Sequence, residues 1–153
     1  MQSRLTLQLL ALLILLAVPV GAQTKYGAGV TVKEADATPF SLLTGQPNVL
    51  EGKTIRVDAV ITSVCTTTPC RWIGLSGAGG SDYGNSVLAR VDPGKIVFPK
   101  SVMGRRVSIE GVVTSVARDP DPEAKEVAAE FSQENLGGAP TFWELKVTGA
   151  VVQ

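Results

Sequence analysis

Three observations predict that this chain is all-β, a small five-stranded barrel with one amphipathic helix between its last two strands. First, residues 50–65 align without gaps to residues 102–117, which is an internal repeat. Second, apolar and polar residues alternate in both copies, as they do in half-buried strands. Third, the long connection after the second copy carries a helical apolar stripe. The predicted strands are, in chain order, long, short, short, long and long, and a wide connection precedes the last one. This pattern is compatible with an oligonucleotide/oligosaccharide-binding (OB) barrel.

The two copies of the repeat share a turn glycine, a basic residue, alternating apolar positions and a final Thr-Ser-Val. In mid-strand, each copy has a small residue, Ala59 or Gly111. A small residue at such a position marks a bend or a close approach of backbones. We therefore expect two long strands that bend where the sheet coils into a barrel. In each predicted strand, the alternation places four residues on one face, and the two faces correspond to each other in the repeat. The residues are Ile55, Val57, Ala59 and Ile61 in the first strand, and Val107, Ile109, Gly111 and Val113 in the second.

The remaining elements are shorter. Residues 70–75 and 86–91 are candidate short strands, and residues 141–152 form the last strand, with Trp143, Leu145, Val147 and Val151 on its apolar face. Residues 26–32 resemble an edge strand. Thr38 and Pro39 suit the N-cap and first position of a helical turn over residues 38–43, whose apolar side chains should plug one end of the barrel.

The connection between the last two strands contains the predicted helix. Asp121 is a suitable N-cap, and Pro122 suits the first helical position. Asn135 and the Gly137-Gly138 pair are suited to end the helix. Its stripe comprises Ala124, Val127, Ala128 and Phe131.

Residues 1–22 have the three parts of a cleavable signal peptide. Arg4 is the positive region, residues 5–18 are almost wholly apolar, and Val20-Gly21-Ala22 offers small residues before the cleavage point. An uncleaved anchor is the alternative, although the apolar run is short for a span of about 20 residues. We thus expect export to the periplasm or outside the cell. The predicted segments are the signal peptide, an extension over residues 23–49 and the barrel domain over residues 50–153.

The two cysteines, Cys65 and Cys70, are separated by four residues at the end of one predicted strand and the start of the next. In an oxidising compartment, this pattern favours a disulfide across a hairpin. A redox-active pair is less favoured because the spacing is not Cys-x-x-Cys. A two-thiolate copper(I) site is a third possibility.

The composition restricts the function. The chain has no histidine, which excludes Ser-His-Asp and Cys-His nucleophilic sites and most transition-metal sites. After removal of the signal peptide, the chain contains 13 basic and 14 acidic residues. This balance argues against nucleic acid as a partner. No motif indicates a cofactor, and no carboxylate pair stands out as a catalytic couple. Glu110 and Glu144 fall at positions expected to face solvent.

One surface could bind a ligand. Arg71 and Trp72 directly follow the second cysteine, and a solvent-facing indole flanked by arginines would form a stacking platform. The alternative is that Trp72 packs on the disulfide inside the barrel. Tyr83 belongs to a glycine-rich loop, residues 77–84, that could reach a ligand. The candidate ligand-binding set is Arg56, Arg71, Trp72, Tyr83 and Arg90.

Three segments together resemble the bacterial domain-of-unknown-function family 4920. They are Leu50-Glu-Gly-Lys-Thr-Ile-Arg-Val, Val64-Cys-x4-Cys-x-Trp and Val97-Phe-Pro-Lys-Ser-x2-Gly-x2-Val-x-Ile-Glu-Gly. Here Arg71 separates the second cysteine from the tryptophan, which departs from the family pattern. The resemblance implies an exported protein with an OB-like fold and implies no established activity.

These observations favour a non-enzymatic exported binding module for an unknown small ligand or envelope protein. Two alternatives are a thiol or copper-handling protein that uses the cysteine pair, and an envelope assembly factor that binds through an exposed sheet edge.

Overall fold

A computed structural model describes residues 21–77 and 86–153. Most of the predicted signal peptide, as well as Tyr83, lies outside the described residues. The strands are β1 (Thr24–Gly27), β2 (Thr54–Val64), β3 (Trp72–Ser76), β4 (Val87–Arg90), β5 (Arg106–Ser115) and β6 (Trp143–Val152). The helices are α1 (Phe40–Gly45) and α2 (Ala124–Asn135), with short 3₁₀ turns at Glu34–Asp36, Pro47–Leu50 and Lys100–Val102.

Strands β2 to β6 close into a barrel, which confirms the predicted fold class. The order around it is β6-β4-β3-β2-β5, and β5 pairs with β6 to complete the circle. All pairings in the barrel are antiparallel except that of β4 with β6, which is parallel. Strand β1 pairs with the C-terminal half of β6 and lies outside the barrel.

The internal repeat corresponds to two neighbouring strands. Strands β2 and β5 pair antiparallel from Thr54 opposite Val112 to Val60 opposite Arg106. The β5–β6 register shifts between Glu110 and Gly111, where a Cβ on Gly111 would lie 2.4 Å from the carbonyl oxygen of Lys146. The bend predicted from the small residue is therefore confirmed in β5, because only glycine permits this approach.

The apolar residues form two clusters. The larger fills the barrel and includes Leu43 of α1, against which Phe40 and Leu42 pack, so α1 contributes the predicted plug. The smaller lies between the outer face of β3 and β4 and the apolar stripe of α2. Its fully or nearly buried members are Cys65, Trp72, Leu88, Val116, Val127, Ala128 and Phe131.

Three local predictions differ from the structure. The edge strand ends at Gly27, because Gly27 and Gly29 have positive φ values of 56° and 72° that turn the chain away from the sheet. Thr38 does not cap α1, and its backbone N–H instead donates to the carbonyl of Arg56 at 2.7 Å. Helix α2 begins two residues later than predicted, although Asp121 still accepts a 3.0 Å hydrogen bond from the backbone N–H of Glu123.

Within the described ranges, no helix is long and apolar enough to cross a membrane.

Candidate ligand-binding cleft

The disulfide predicted from the cysteine spacing is present. Cys65 and Cys70 are bonded, with their Cα atoms 5.5 Å apart, across the loop between β2 and β3. Cys65 is buried in the cluster beneath α2. The disulfide therefore fixes the hairpin at the edge of this cluster, and chemistry at either thiol would first require its reduction.

An acidic row on α2 binds the disulfide hairpin. Glu130 accepts hydrogen bonds from Thr67 Oγ1 at 2.7 Å and from Trp72 Nε1 at 3.1 Å. One turn further along, Glu134 accepts a 3.0 Å hydrogen bond from Thr66 Oγ1. Polar contacts at the hairpin and apolar contacts beneath it thus fix α2 on the barrel.

The role predicted for Trp72 as an exposed stacking platform is wrong. Its side chain lies on the outer face of β3, but α2 covers that face and leaves the residue 0% exposed. The Trp72 ring meets Phe131 edge to face, with centroids 5.3 Å apart and planes at 85°. The alternative, that Trp72 packs against the disulfide, is correct in that Trp72 is buried in the cluster that contains Cys65, but this cluster lies outside the barrel, under α2.

Arg71 lies at the rim of the same hairpin and contacts three carboxylates of or next to α2. The distances are 3.0 Å to Glu126, 3.4 Å to Glu123 and 3.5 Å to Glu130. The hydrogen bond from Arg71 to Glu126 raises the pKa of the guanidinium above its usual value. Glu123 and Glu126 are 60% and 70% exposed, so these two pairs are solvated and contribute little stability.

Arg90, in contrast, is part of a buried ion cluster. Its Nε and Nη2 donate to the two carboxylate oxygens of Glu144 at 2.8 and 2.9 Å. Nη2 also contacts Asp119 at 2.5 Å, Nη1 contacts Asp121, and Lys146 lies 3.2 Å from Asp119. Burial alone would lower the pKa of Arg90, but the hydrogen bond and charge of Glu144 raise it above its usual range. The guanidinium is therefore a fixed cation with its donors in use.

The two buried carboxylates of this cluster have opposite pKa shifts. Burial, with the nearby Asp119, raises the pKa of Glu144 to about 7. Burial opposes ionisation of Asp119 as well, but hydrogen bonds from Glu144, Lys146 and the backbone of Asp121 lower its pKa to about 2. This pattern is that of two acids competing for one proton.

Arg71 and Arg90 line one cleft between α2 and the β4–β6 pair. It has a volume of about 380 Å³, and its wall includes the apolar side chains of Val91, Val127 and Val147. A second cleft of about 280 Å³ adjoins it and shares Arg71, Pro93 and Glu123. We call the two together the Arg71–Arg90 cleft.

The other two predicted ligand residues are not in this cleft. Arg56 lies on the outer face of β2, where it donates to Asp58, to Ser108 Oγ and to the carbonyl of Val32. It helps to hold the N-terminal segment against the barrel. Tyr83 lies outside the described residues. Two of the five predicted positions, Arg71 and Arg90, are therefore brought together.

Glu110 and Glu144 are buried, contrary to the expectation that they face solvent. Each is at most 7% exposed. Glu110 accepts hydrogen bonds from the backbone N–H groups of Thr31 and Val32, both at 2.8 Å. Burial would raise the pKa of Glu110, but these two N–H groups lower it. Strand parity correctly placed both carboxylates outside the barrel, and other segments of the chain then cover them.

Comparison with known proteins identifies no relative by sequence. No family model matches the chain, and no curated protein matches it. A putative aspartyl-tRNA synthetase from Leishmania major Friedlin is similar with a TM-score of 0.47 and 17% identity, over 82% of this chain and 22% of that one. An aspartyl tRNA synthetase from Entamoeba histolytica gives 0.43 and 12%, over 86% and 27%. The chain thus spans about a quarter of the length of these structures.

Proposed function

We propose that this chain is an exported, non-enzymatic binding module of the periplasm or cell envelope, and that it holds a cationic ligand in the Arg71–Arg90 cleft. The observation that carries the proposal is the convergence of Arg71 and Arg90, 19 positions apart, on one partly apolar cleft with fixed polar groups. Ligand sites are concave and combine apolar walls with oriented polar groups, and in this cleft the charged side chains predominate.

The charge balance of the cleft favours a cation. Its three basic lining residues are Arg71, Arg90 and Lys146, and each is already paired with a carboxylate. Even without Glu144, whose pKa is raised to about 7, the carboxylates in the lining and its immediate ion pairs outnumber these three cations and Lys95, which pairs with Asp92 at 3.4 Å: Asp92, Asp119, Asp121, Glu123, Glu126 and Glu130. An incoming anion would meet this excess of negative charge, whereas an ammonium group would reach the exposed carboxylates of Asp92 and Glu123.

The same features argue against single-stranded nucleic acid as the ligand. OB barrels that bind oligonucleotides use the face of their second and third strands with the loops beside it. In this chain those strands are β3 and β4, whose outer face carries Trp72 under α2. Base stacking needs an exposed aromatic face, and phosphate binding needs unpaired cations. Neither is present on this face among the residues that the structure describes.

Two further observations support the remaining parts of the proposal. The absence of histidine removes the commonest acid/base group at neutral pH, and the cleft carboxylates are held by arginine and lysine, which favours binding over catalysis. The Cys65–Cys70 disulfide is the type of bond that persists in oxidising compartments, which supports export.

The binding claim can be tested by calorimetry with a defined cation. The probe is N-acetyl-trilysine amide, compared with the same peptide acetylated on its three side chains. We expect saturable binding of the charged peptide only, weakened by about threefold or more in Asp92→Asn and Glu123→Gln. Asp36→Asn removes an exposed carboxylate far from the cleft in sequence and is the matched control. Equal affinity in all three variants, or tighter binding of an oligothymidylate, would contradict the proposal.

Export has its own test. Intact mass of the protein recovered from the producing cells should correspond to a chain that begins at Gln23. A full-length mass would contradict cleavage after Ala22 without bearing on the ligand.

A further inference from the structure

A second concave surface lies at the start of β6 and is separate from the Arg71–Arg90 cleft. It is a groove of about 220 Å³ between α1, the start of β4 and the segment that leads from α2 into β6. Leu43, Val87 and Leu136 contribute apolar walls, and Phe142 and Trp143 lie along it. We call it the Phe142 groove.

Phe142 is 66% exposed, although most large apolar side chains of the described residues are buried. The neighbouring Trp143 is partly buried, and the guanidinium of Arg118 lies 5.8 Å from its ring centroid. Arg118 is itself held by both oxygens of Glu51, at 2.8 and 2.7 Å. The groove thus combines an exposed ring with one whose position is fixed, an arrangement suited to ring stacking.

The groove also contains an unused hydrogen-bonding group. Ser86 lines it and is only 8% exposed, yet its hydroxyl has no hydrogen-bond partner among the described residues. An unpaired buried hydroxyl is unfavourable, because the group has lost water without gaining a substitute. The other buried polar side chain in the wall, Glu144, already binds Arg90. The Ser86 hydroxyl can therefore form one hydrogen bond with a ligand.

From these observations we infer that the Phe142 groove binds a single phenolic ring, which stacks on the aromatic side chains and hydrogen-bonds to Ser86 Oγ. The volume is below the range of about 300–1,000 Å³ typical of drug-sized sites, so it suits one ring. About half of the wall is polar, but the hydroxyls of Thr44 and Thr141 donate to backbone carbonyls and Glu144 binds Arg90. The several hydroxyls of a sugar would therefore find few open partners, and each unpaired one would cost binding energy. A ring with one hydroxyl matches the single partner that the groove supplies.

The inference can be tested by NMR titration with two matched probes, N-acetyl-L-tyrosinamide and N-acetyl-L-phenylalaninamide. Both should shift the indole N–H resonance of Trp143 and leave that of buried Trp72 unchanged. The tyrosine probe should bind about threefold to tenfold more tightly, which is the worth of one hydrogen bond. Ser86→Ala should remove this preference and retain binding of the phenylalanine probe.

Two variants localise the site. Phe142→Ala should weaken both probes, whereas Met103→Ala, which also truncates an exposed apolar side chain, should leave them unchanged. No shift at Trp143, or a tyrosine preference that survives Ser86→Ala, would overturn the inference. Phenol distinguishes the source of the ring: tighter binding of the amide indicates a peptide tyrosine, and tighter binding of phenol indicates a free phenol. Asp92→Asn should not affect any of these results, so failure here is separate from failure of the cation proposal.

Discussion

The indole nitrogen of Trp72 donates a 3.1 Å hydrogen bond to Glu130 Oε1, and this pair joins β3 to α2. The same carboxylate oxygen accepts from Thr67 of the disulfide hairpin. Glu130 therefore connects the two loops that border the ligand face of an OB barrel, one containing the disulfide and the other containing α2. In this protein the chain's own helix occupies that face, and the Arg71–Arg90 cleft opens beside it.

Glu130→Ala should lower the free energy of unfolding by about 1–3 kcal/mol, because it leaves the buried N–H of Trp72 without an acceptor. Glu126→Ala removes a carboxylate that is 70% exposed and should change stability by about 0.5 kcal/mol or less. Urea denaturation of both variants provides the measurement. An equal loss of stability in the two variants would show that the hydrogen bond from the Trp72 indole to Glu130 does not stabilise the fold.

The stability of the protein should fall as the pH rises from about 4.5 to about 7. Glu144 has a pKa raised to about 7 by burial, so the folded chain retains a proton that the unfolded chain releases near 4.5. Its contribution is thus complete below 4.5 and lost as the pH rises through 7. Asp119, with its pKa lowered to about 2, acts in the opposite sense and loses its contribution as the pH falls from 3.8 to 2.

Denaturation midpoints measured at half-unit pH intervals would show this profile. Glu144→Gln should flatten the dependence of stability on pH between pH 4.5 and 7, because the amide has no proton to release. The loss of stability below pH 3.8, which we assign to Asp119, should remain. Glu126→Gln, at an exposed position of the same acidic surface, is the control and should retain the slope. A profile that rises steadily from pH 4.5 to 7 in the unmodified protein would refute this assignment.

Gly111→Ala should destabilise the barrel by about 1–3 kcal/mol, since the added methyl group would approach the Lys146 carbonyl to 2.4 Å. Gly45→Ala is the matched control, because nothing lies within 4 Å of its new Cβ and the residue ends α1. That variant should be neutral or slightly more stable. Thermal denaturation distinguishes the two, and tolerance of alanine at position 111 would contradict the close approach of β5 and β6.

Replacing both cysteines by serine should lower the free energy of unfolding by about 2 kcal/mol, the value that the chain-entropy model gives for so small a loop. Because α2 packs on this hairpin through Glu130 and Glu134, amide hydrogen exchange in α2 should accelerate as well. Thr67→Val, which removes one hairpin contact and keeps the disulfide, separates the two effects. Unchanged exchange in α2 after loss of the disulfide would show that the hairpin is not coupled to the helix.

The barrel could be predicted because its signals are local. Alternation located β2 and β5, the cysteine spacing indicated the hairpin between β2 and β3, and the apolar stripe from Ala124 to Phe131 revealed α2. Each of these signals depends on residues close in sequence. The bend at Gly111 followed from the same reasoning.

The cleft could not be predicted, because it depends on which segments cover the barrel. Strand parity placed Glu110 and Glu144 on outer faces and left the side of Trp72 open. It does not reveal that α2 or the N-terminal segment covers these residues. The bidentate contact of Arg90 with Glu144 arises from the parallel pairing of β4 with β6, strands more than 50 residues apart. No periodicity within either strand indicates this neighbour.

The most direct test of the central claim is an NMR titration of the mature protein with N-acetyl-trilysine amide, followed at every backbone amide. The account predicts saturable shifts confined to the backbone amides that surround the Arg71–Arg90 cleft, which are those of Val91, Asp92, Asp121, Glu123, Lys146 and Val147. Saturable shifts centred on Arg56 and Val32, or no saturation at millimolar peptide, would contradict it.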